Sequence, residues 1–178
     1  LVESNMIGNS ASFNNLKSQL DKVTKSNGRV MLTGPAGCGK EIAARYIHAN
    51  SVRASEPFIT VSSASISPDK MEEVLFGSEY NGLIKPGLLE KANGGILFFD
   101  EVSDMPTGTQ SKILRVLVEQ AFTRVNGNNL VRVDLRVISS TNKNLISKIA
   151  SGDFREELYH RLNVVPIKVP SLENRRED

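Results

Sequence analysis

The chain has 178 residues, enough for one domain with a proper core, and its 39% hydrophobic and 24% charged residues exclude disorder and fibre. A net charge of +2, with acidic and basic residues interspersed, argues against a nucleic-acid surface on this domain. One cysteine rules out an intrachain disulfide, two distant histidines make no zinc site, and no apolar run nears the ~20 residues that span a bilayer.

No signal-peptide pattern opens the chain, which fits the cytoplasm. Leu1 in place of Met, and the charged end Asn174-Arg175-Arg176-Glu177-Asp178, read as a piece of a longer protein. In chain order, Phe13, Leu16, Leu20 and Val23 recur at helical spacing behind the capping candidates Ser10 and Ser12, predicting a helix over 11–26. Val30-Met31-Leu32-Thr33, bounded by glycines, reads as a buried strand, and 40–50 as a helix. A second strand is expected over 58–61, and Ser67-Pro68 marks a helix start. Ile96 to Phe99 is an apolar strand ending in Asp100-Glu101.

Residues 108–120 place Ile113, Leu114, Leu117 and Val118 on one helical face. Asn126-Gly127 signals a hairpin turn, followed by Val131, Val133, Leu135 and Val137 in strand alternation. Short helices follow at 143–150 and 153–161, with Gly152 as a stop, then a strand over 164–169 closed by Pro170. Strands alternating with helices predict an α/β layer fold on a mainly parallel sheet, as a single domain.

Two segments carry chemistry. Gly34-Pro35-Ala36-Gly37-Cys38-Gly39-Lys40 sits between a predicted strand and a predicted helix. In that context glycines let successive backbone N–H groups face phosphate oxygens, the helix N-terminus adds its positive dipole end, and Lys40 reaches the outer phosphates. Glu41 stands where most such loops carry the Ser or Thr that binds magnesium. Gly94-Gly95-Ile96-Leu97-Phe98-Phe99-Asp100-Glu101 delivers two carboxylates to a strand's carboxyl end, where ligands of open α/β sheets bind. Asp100 suits Mg2+ and Glu101 suits the water that attacks a γ-phosphate. Cys38 reads as an inert loop side chain, with redox control the minor alternative. His48 and His160 read as packing or capping residues.

These motifs resemble the AAA+ ATPases that activate sigma-54 RNA polymerase, the NtrC class, in which Glu follows the loop lysine as Glu41 does here. Leu75-Phe76-Gly77, Ala92-Asn93-Gly94-Gly95, Lys112 to Leu117, Arg136-Val137-Ile138 leading to Thr141-Asn142, and Phe154 to Asn163 carry the resemblance, in order, from about Ile7 to Asp178. It implies an AAA+ three-layer core with a helical lid beginning near 172 and cut off, so that the lid's second sensor arginine is not in the chain. ATP or ADP with Mg2+ would bind, and ATP-bound copies would assemble into a ring of six or seven.

By the same resemblance Asn142 would sense the γ-phosphate. Arg155 and Arg161 would be arginine fingers serving a neighbouring subunit, and Ile7 and Gly8 would border the adenine. A receiver domain and a helix-turn-helix domain would complete the protein. The chain departs from the family at two places. Ser78 to Gly87 replaces the loop carrying Gly-Ala-Phe-Thr-Gly-Ala, which argues against sigma-54 remodelling and is similar to the NtrX branch. Ser62 stands where the family has an Asn that holds the catalytic glutamate. Two readings stay open: a Mg-dependent ATPase working at subunit interfaces, or a nucleotide-controlled assembly module with little turnover. An unrelated P-loop kinase or transport ATPase leaves the motifs after residue 120 unexplained.

Overall fold

In the computed structural model, residues 11–170 are described. Five short strands, β1 (Val30–Thr33), β2 (Phe58–Ser62), β5 (Ile96–Asp100), β8 (Arg136–Thr141) and β9 (Val165–Lys168), form one sheet in the order β2-β5-β8-β1-β9. Every pairing in it is parallel, with Val30 opposite both Ile138 and Val165, and Ile96 opposite both Phe58 and Arg136. Because the registers match, Thr33, Ser62, Asp100 and Thr141 all end at one edge.

Successive strand residues point to opposite faces, and each face has its own core. Val30, Leu32, Ile96, Phe98 and Ile138 pack against Phe13, Leu16 and Leu20 of α1 (Ala11–Thr24) and Ala43, Ala44 and Ile47 of α2 (Lys40–Ala49). Met31, Val61, Leu97, Phe99 and Val137 face α3 (Met71–Phe76), α4 (Leu88–Lys91), α5 (Thr107–Glu119) and α7 (Glu156–Leu162). Each fully buried large side chain here contributes about 1.5–3 kcal/mol. The remaining helix, α6 (Leu145–Ala150), follows β8. Among the described residues no helix is long and apolar enough to cross a membrane.

The expected α/β sheet is present, with three local corrections. Ser67-Pro68 forms a turn, closed by Lys70 N donating to Ser67 O at 3.0 Å, and helix α3 starts only at Met71, the first residue there that buries. On α5 the inward face is Ile113, Val116 and Leu117, while Val118 is 52% exposed, so the seam lies one position from the expected one. The alternation from Val131 to Val137 is split between two sheets. β7 (Leu130–Arg132) pairs with β6 (Ala121–Thr123) in a hairpin around Asn126, and β8 begins after a break at Val133–Leu135.

The segment from Ser78 to Gly87 is itself a hairpin, β3 (Ser78–Tyr80) and β4 (Leu83–Lys85), turned by Asn81 and Gly82 at positive φ. Arg124 fixes it to the body, donating to Glu79 Oε1 at 2.7 Å and to both oxygens of Glu90 at 2.7 and 2.9 Å. Glu79 N and Val125 N complete the link by donating to Val125 O and Gly77 O. The hairpin tip carries exposed Tyr80, Leu83 and Ile84.

Candidate functional site

The loop after β1 turns sharply because Gly34 lies against the chain at Val169, whose N–H donates to Thr33 O at 2.7 Å. A Cβ on Gly34 would collide with Val169 O and come within 2.8 Å of Cys38 Sγ. Gly37 and Gly39 take positive φ of 75° and 95°, which brings the chain round to the first turn of α2. Cys38 is buried beneath the loop. Lys40 Nζ lies over it, donating to Gly34 O at 2.7 Å and Pro35 O at 3.0 Å. Glu41 faces outward and pairs with Arg45 one turn along at 3.1 Å, so its carboxylate serves the exposed helix face.

Opposite the loop, β5 delivers Asp100 and β8 delivers Ser140, Thr141 and then Asn142. Ser140 Oγ lies 3.3 Å from Asp100 Oδ1 and accepts a hydrogen bond from Glu101 N at 3.2 Å. Glu101 adopts a left-handed backbone, φ 59° and ψ 72°, uncommon for a residue with a side chain. Its carboxylate accepts from Ser103 Oγ and Thr141 Oγ1, each at 2.6 Å, and from Asn142 N at 2.8 Å. Burial alone would raise this carboxyl's pKa. The hydrogen bonds from Asn142, Ser103 and Thr141 outweigh it and hold the group below its ordinary 4.5. Lys143 is raised by its ion pair with Asp104, 3.0 Å away.

Ala36 to Ile42, Asp100, Glu101 and Asn142 line one cleft of about 450 Å³ at the carboxyl edge of the sheet. A second cleft, of about 740 Å³, shares Gly34 and Pro35 with the loop and runs between α1 and β9, past Leu16, Pro166 and Val169. The donor set fits a phosphate chain carrying a hard divalent cation. The N-terminus of α2 and the Lys40 ammonium line one wall of the first cleft, and Asp100 offers one carboxylate on the other. Among the described residues no three His, Cys, Asp or Glu side chains gather around a point. A cation held by one carboxylate, water and phosphate oxygens needs no such cluster.

The sequence-predicted residues from Ala36 to Glu41, Asp100, Glu101 and Asn142 are thus brought together, with Gly34 and Pro35 at the junction of the two clefts. Arg155 and Arg161 are not. They cap and end α7 respectively, both exposed, and neither lines the cleft. Ile7, Gly8 and the lid boundary near 172 lie outside the described residues. Ser62 does not hold Glu101; its hydroxyl accepts from Ser65 Oγ at 3.3 Å. Ser103, Thr141 and the Asn142 N–H hold the Glu101 carboxylate and Ser140 accepts from its backbone N–H, roles that the sequence does not assign to them. The Glu101-Val102-Ser103 spacing, a local capping pattern, was the available signal. His48 Nε2 donates to Glu56 O at 2.7 Å and its ring packs on Phe58, and exposed His160 packs on Tyr159.

Comparison with known proteins places this geometry. The chain is 51% identical over 175 residues to the nitrogen assimilation regulatory protein NtrX of Azorhizobium caulinodans, covering 97% of this chain and 38% of that protein. A crystal structure of NtrX from Brucella abortus in complex with ATP superposes with a TM-score of 0.91 at 55% identity, covering 97% of this chain and 40% of that one. The P-loop NTPase domain of an Escherichia coli sigma-54 transport activator, 21% identical with a TM-score of 0.65 over 93% of this chain and 99% of that one, shares the fold. The chain therefore spans about two fifths of the length of the two NtrX proteins. With the family model for the sigma-54 interaction domain matching residues 6–168, the chain belongs to that family, an AAA+ P-loop NTPase fold of the NtrX and NtrC type of response regulator.

Proposed function

We propose that this domain binds ATP with Mg2+ in the cleft between the phosphate loop and Asp100, and hydrolyses it where copies of the chain meet. The observation that carries this is the convergence of Lys40, Asp100, Glu101 and Asn142 on one cleft. The 55%-identical NtrX structure with ATP supports the choice of nucleotide. Lys40 would exchange its two loop carbonyls for β- and γ-phosphate oxygens. Magnesium beside Asp100 would neutralise charge developing on those oxygens. Glu101, ionised and held from three sides, would orient the attacking water, and Asn142 would report the γ-phosphate.

Among the described residues no arginine lines the cleft. Arg155 uses Nε to donate to Thr107 O at 3.1 Å, and its two terminal nitrogens have no partner among the described residues. The Arg161 guanidinium likewise has none. Supplied to a neighbour's cleft, such a fork stabilises transition-state charge and makes turnover depend on assembly. A ring of six or seven copies would satisfy that geometry. The rest of the full-length protein would supply a receiver and a helix-turn-helix domain, acting in the cytoplasm.

A second reading, nucleotide-controlled assembly with little turnover, has its own support. Glu101 is engaged by Ser103, Thr141 and Asn142, and Ser62 gives it no alternative partner. The Arg124-anchored hairpin in place of an extended loop argues against sigma-54 remodelling under either reading. The deciding experiment is ATP turnover per subunit against protein concentration, with the Arg155→Ala and Arg161→Ala variants alongside. Hydrolysis at interfaces predicts a specific rate that climbs with concentration and falls about 1,000-fold or more when the acting arginine is removed. ATP binding without turnover at any concentration would overturn it and leave the assembly module.

A further inference from the structure

We propose that Gln110 is a positioning residue that ties Arg155 to the strand end carrying Glu101, so that one buried amide, braced beside the subunit's own site, sets the arginine that the subunit presents to its neighbour. This rests on the reading above of Arg155 as acting in trans. Gln110 lies in the first turn of α5 and is fully buried. Its Nε2 donates to Met105 O at 2.8 Å and to Asp153 O at 2.9 Å, and its Oε1 accepts from Arg155 N at 2.8 Å.

Each end of this bridge leads to chemistry. Met105 closes the short 3-10 turn Val102–Asp104, with Met105 N donating to Val102 O at 3.2 Å. That turn is wound on the Glu101 carboxylate through Ser103 N and Ser103 Oγ. Any shift of the carboxylate therefore moves the carbonyl that Gln110 holds. At the other end Arg155 is the residue from which α7 starts, and its Nε rests on Thr107 O, one turn before Gln110 on the same helix. The direction of its guanidinium is thus set by α5 twice, once through Gln110 and once through Thr107. Only a primary amide on a long stem offers two donors and one acceptor to three backbone groups at once.

A side chain that merely satisfies three buried backbone groups would also be costly to remove, so stability alone does not separate the roles. A double-mutant cycle on the full gene product does. In Gln110→Met, ATP affinity and KM stay near wild type while kcat falls about 100-fold, the scale of a misplaced catalytic group. Because Gln110 acts through Arg155, the double variant Gln110→Met, Arg155→Ala turns over no more slowly than Arg155→Ala alone. Should Gln110→Met not fold, Gln110→Glu keeps the acceptor for Arg155 N and loses the donors to Met105 O and Asp153 O; its kcat falls because Arg155 is then no longer tied to the Glu101 strand end, and that loss too disappears in the Arg155→Ala background. Additive losses, a KM effect in place of a kcat effect, or a single variant within about threefold of wild type would overturn the inference while leaving the ATPase reading intact. A wild-type protein with no turnover overturns both.

Discussion

Thr141 Oγ1 donates a 2.6 Å hydrogen bond to Glu101 Oε2, so the last residue of β8 holds the carboxylate that follows its neighbour strand β5. The contact crosses two parallel strands whose registers end together, which is why a residue 40 positions away reaches it. With Ser103 and Asn142 it makes Glu101 an anion fixed by the sheet edge, while the residue's left-handed backbone turns it out of the strand.

That arrangement predicts opposite effects of Glu101→Gln on turnover and on acid stability. The folded-state pKa is depressed, so the group's stabilising contribution is present above its ordinary 4.5 and is lost as pH falls through the lower folded value. Removing the charge should therefore flatten the loss of stability on acidification below about pH 4.5, read by urea unfolding at successive pH values. At neutral pH the same variant keeps ATP affinity and loses about 100-fold or more in turnover, the range for a group that handles the attacking water. Parallel acid unfolding of variant and wild type would mean that the hydrogen bonds do not lower this pKa.

Two loop glycines should respond differently to alanine. At Gly37 a Cβ meets nothing within 4 Å, and only the φ of 75° opposes it. Gly37→Ala should then cost about 1–2 kcal/mol, the ordinary strain of a left-handed residue. At Gly34 the Cβ collides with Val169 O and crowds Cys38 Sγ, so backbone must shift. Gly34→Ala should cost about 3 kcal/mol, at the upper end of overpacking, and weaken ATP binding, because Val169 and the loop line the same cleft. Equal losses, measured by denaturant unfolding of both variants, would rule out the close approach as the reason for glycine at position 34.

How much of this was legible in the sequence depended on the range of the interaction concerned. β1 is readable to the residue because Val30 to Thr33 is a short apolar run between glycines, and Asp100-Glu101 is readable because a buried apolar strand ends where carboxylates begin, although β5 itself takes in Asp100. Asn126-Gly127 marks its hairpin, whereas at Asn81-Gly82 the same signal stands between strands of three residues with no alternating apolar pattern to support it. Val116 and Val118 are interchangeable by hydropathy, and only the packing of α5 against α7 and β6 separates them. The Glu101 network was out of reach for a different reason. Its donors Thr141 and Asn142 are adjacent to Glu101 only through the strand order β5-β8, which local pattern does not encode. Gln110 was hidden likewise, as one polar residue in an amphipathic helix.

Arg136 shows the same separation between motif and role, and it yields the last prediction. It opens β8 yet is 1% exposed, donating to Val23 O at 2.6 Å, Gly28 O at 3.1 Å and Thr24 O at 3.5 Å. Those carbonyls end α1 and begin the turn into β1, where the helix leaves acceptors without intrahelical donors. Burial, with Arg53 nearby as the lesser cause, pushes its pKa down to about 10, which still leaves a cation at neutral pH. Arg136→Met fills the space but takes this donor from Gly28 O and Thr24 O, while Val23 O keeps Ser26 N and Oγ, and should cost about 3 kcal/mol as two acceptors lose their partner. Arg136→Lys keeps the charge without the fork, so it should recover only part of the loss. Since Leu16 of α1 lines the cleft beside Gly34, the Met variant should also bind ATP less tightly than its folded fraction alone explains. Isothermal titration at a temperature where the variant remains folded decides this: unchanged affinity would confine Arg136 to stability and separate the α1 anchor from the site.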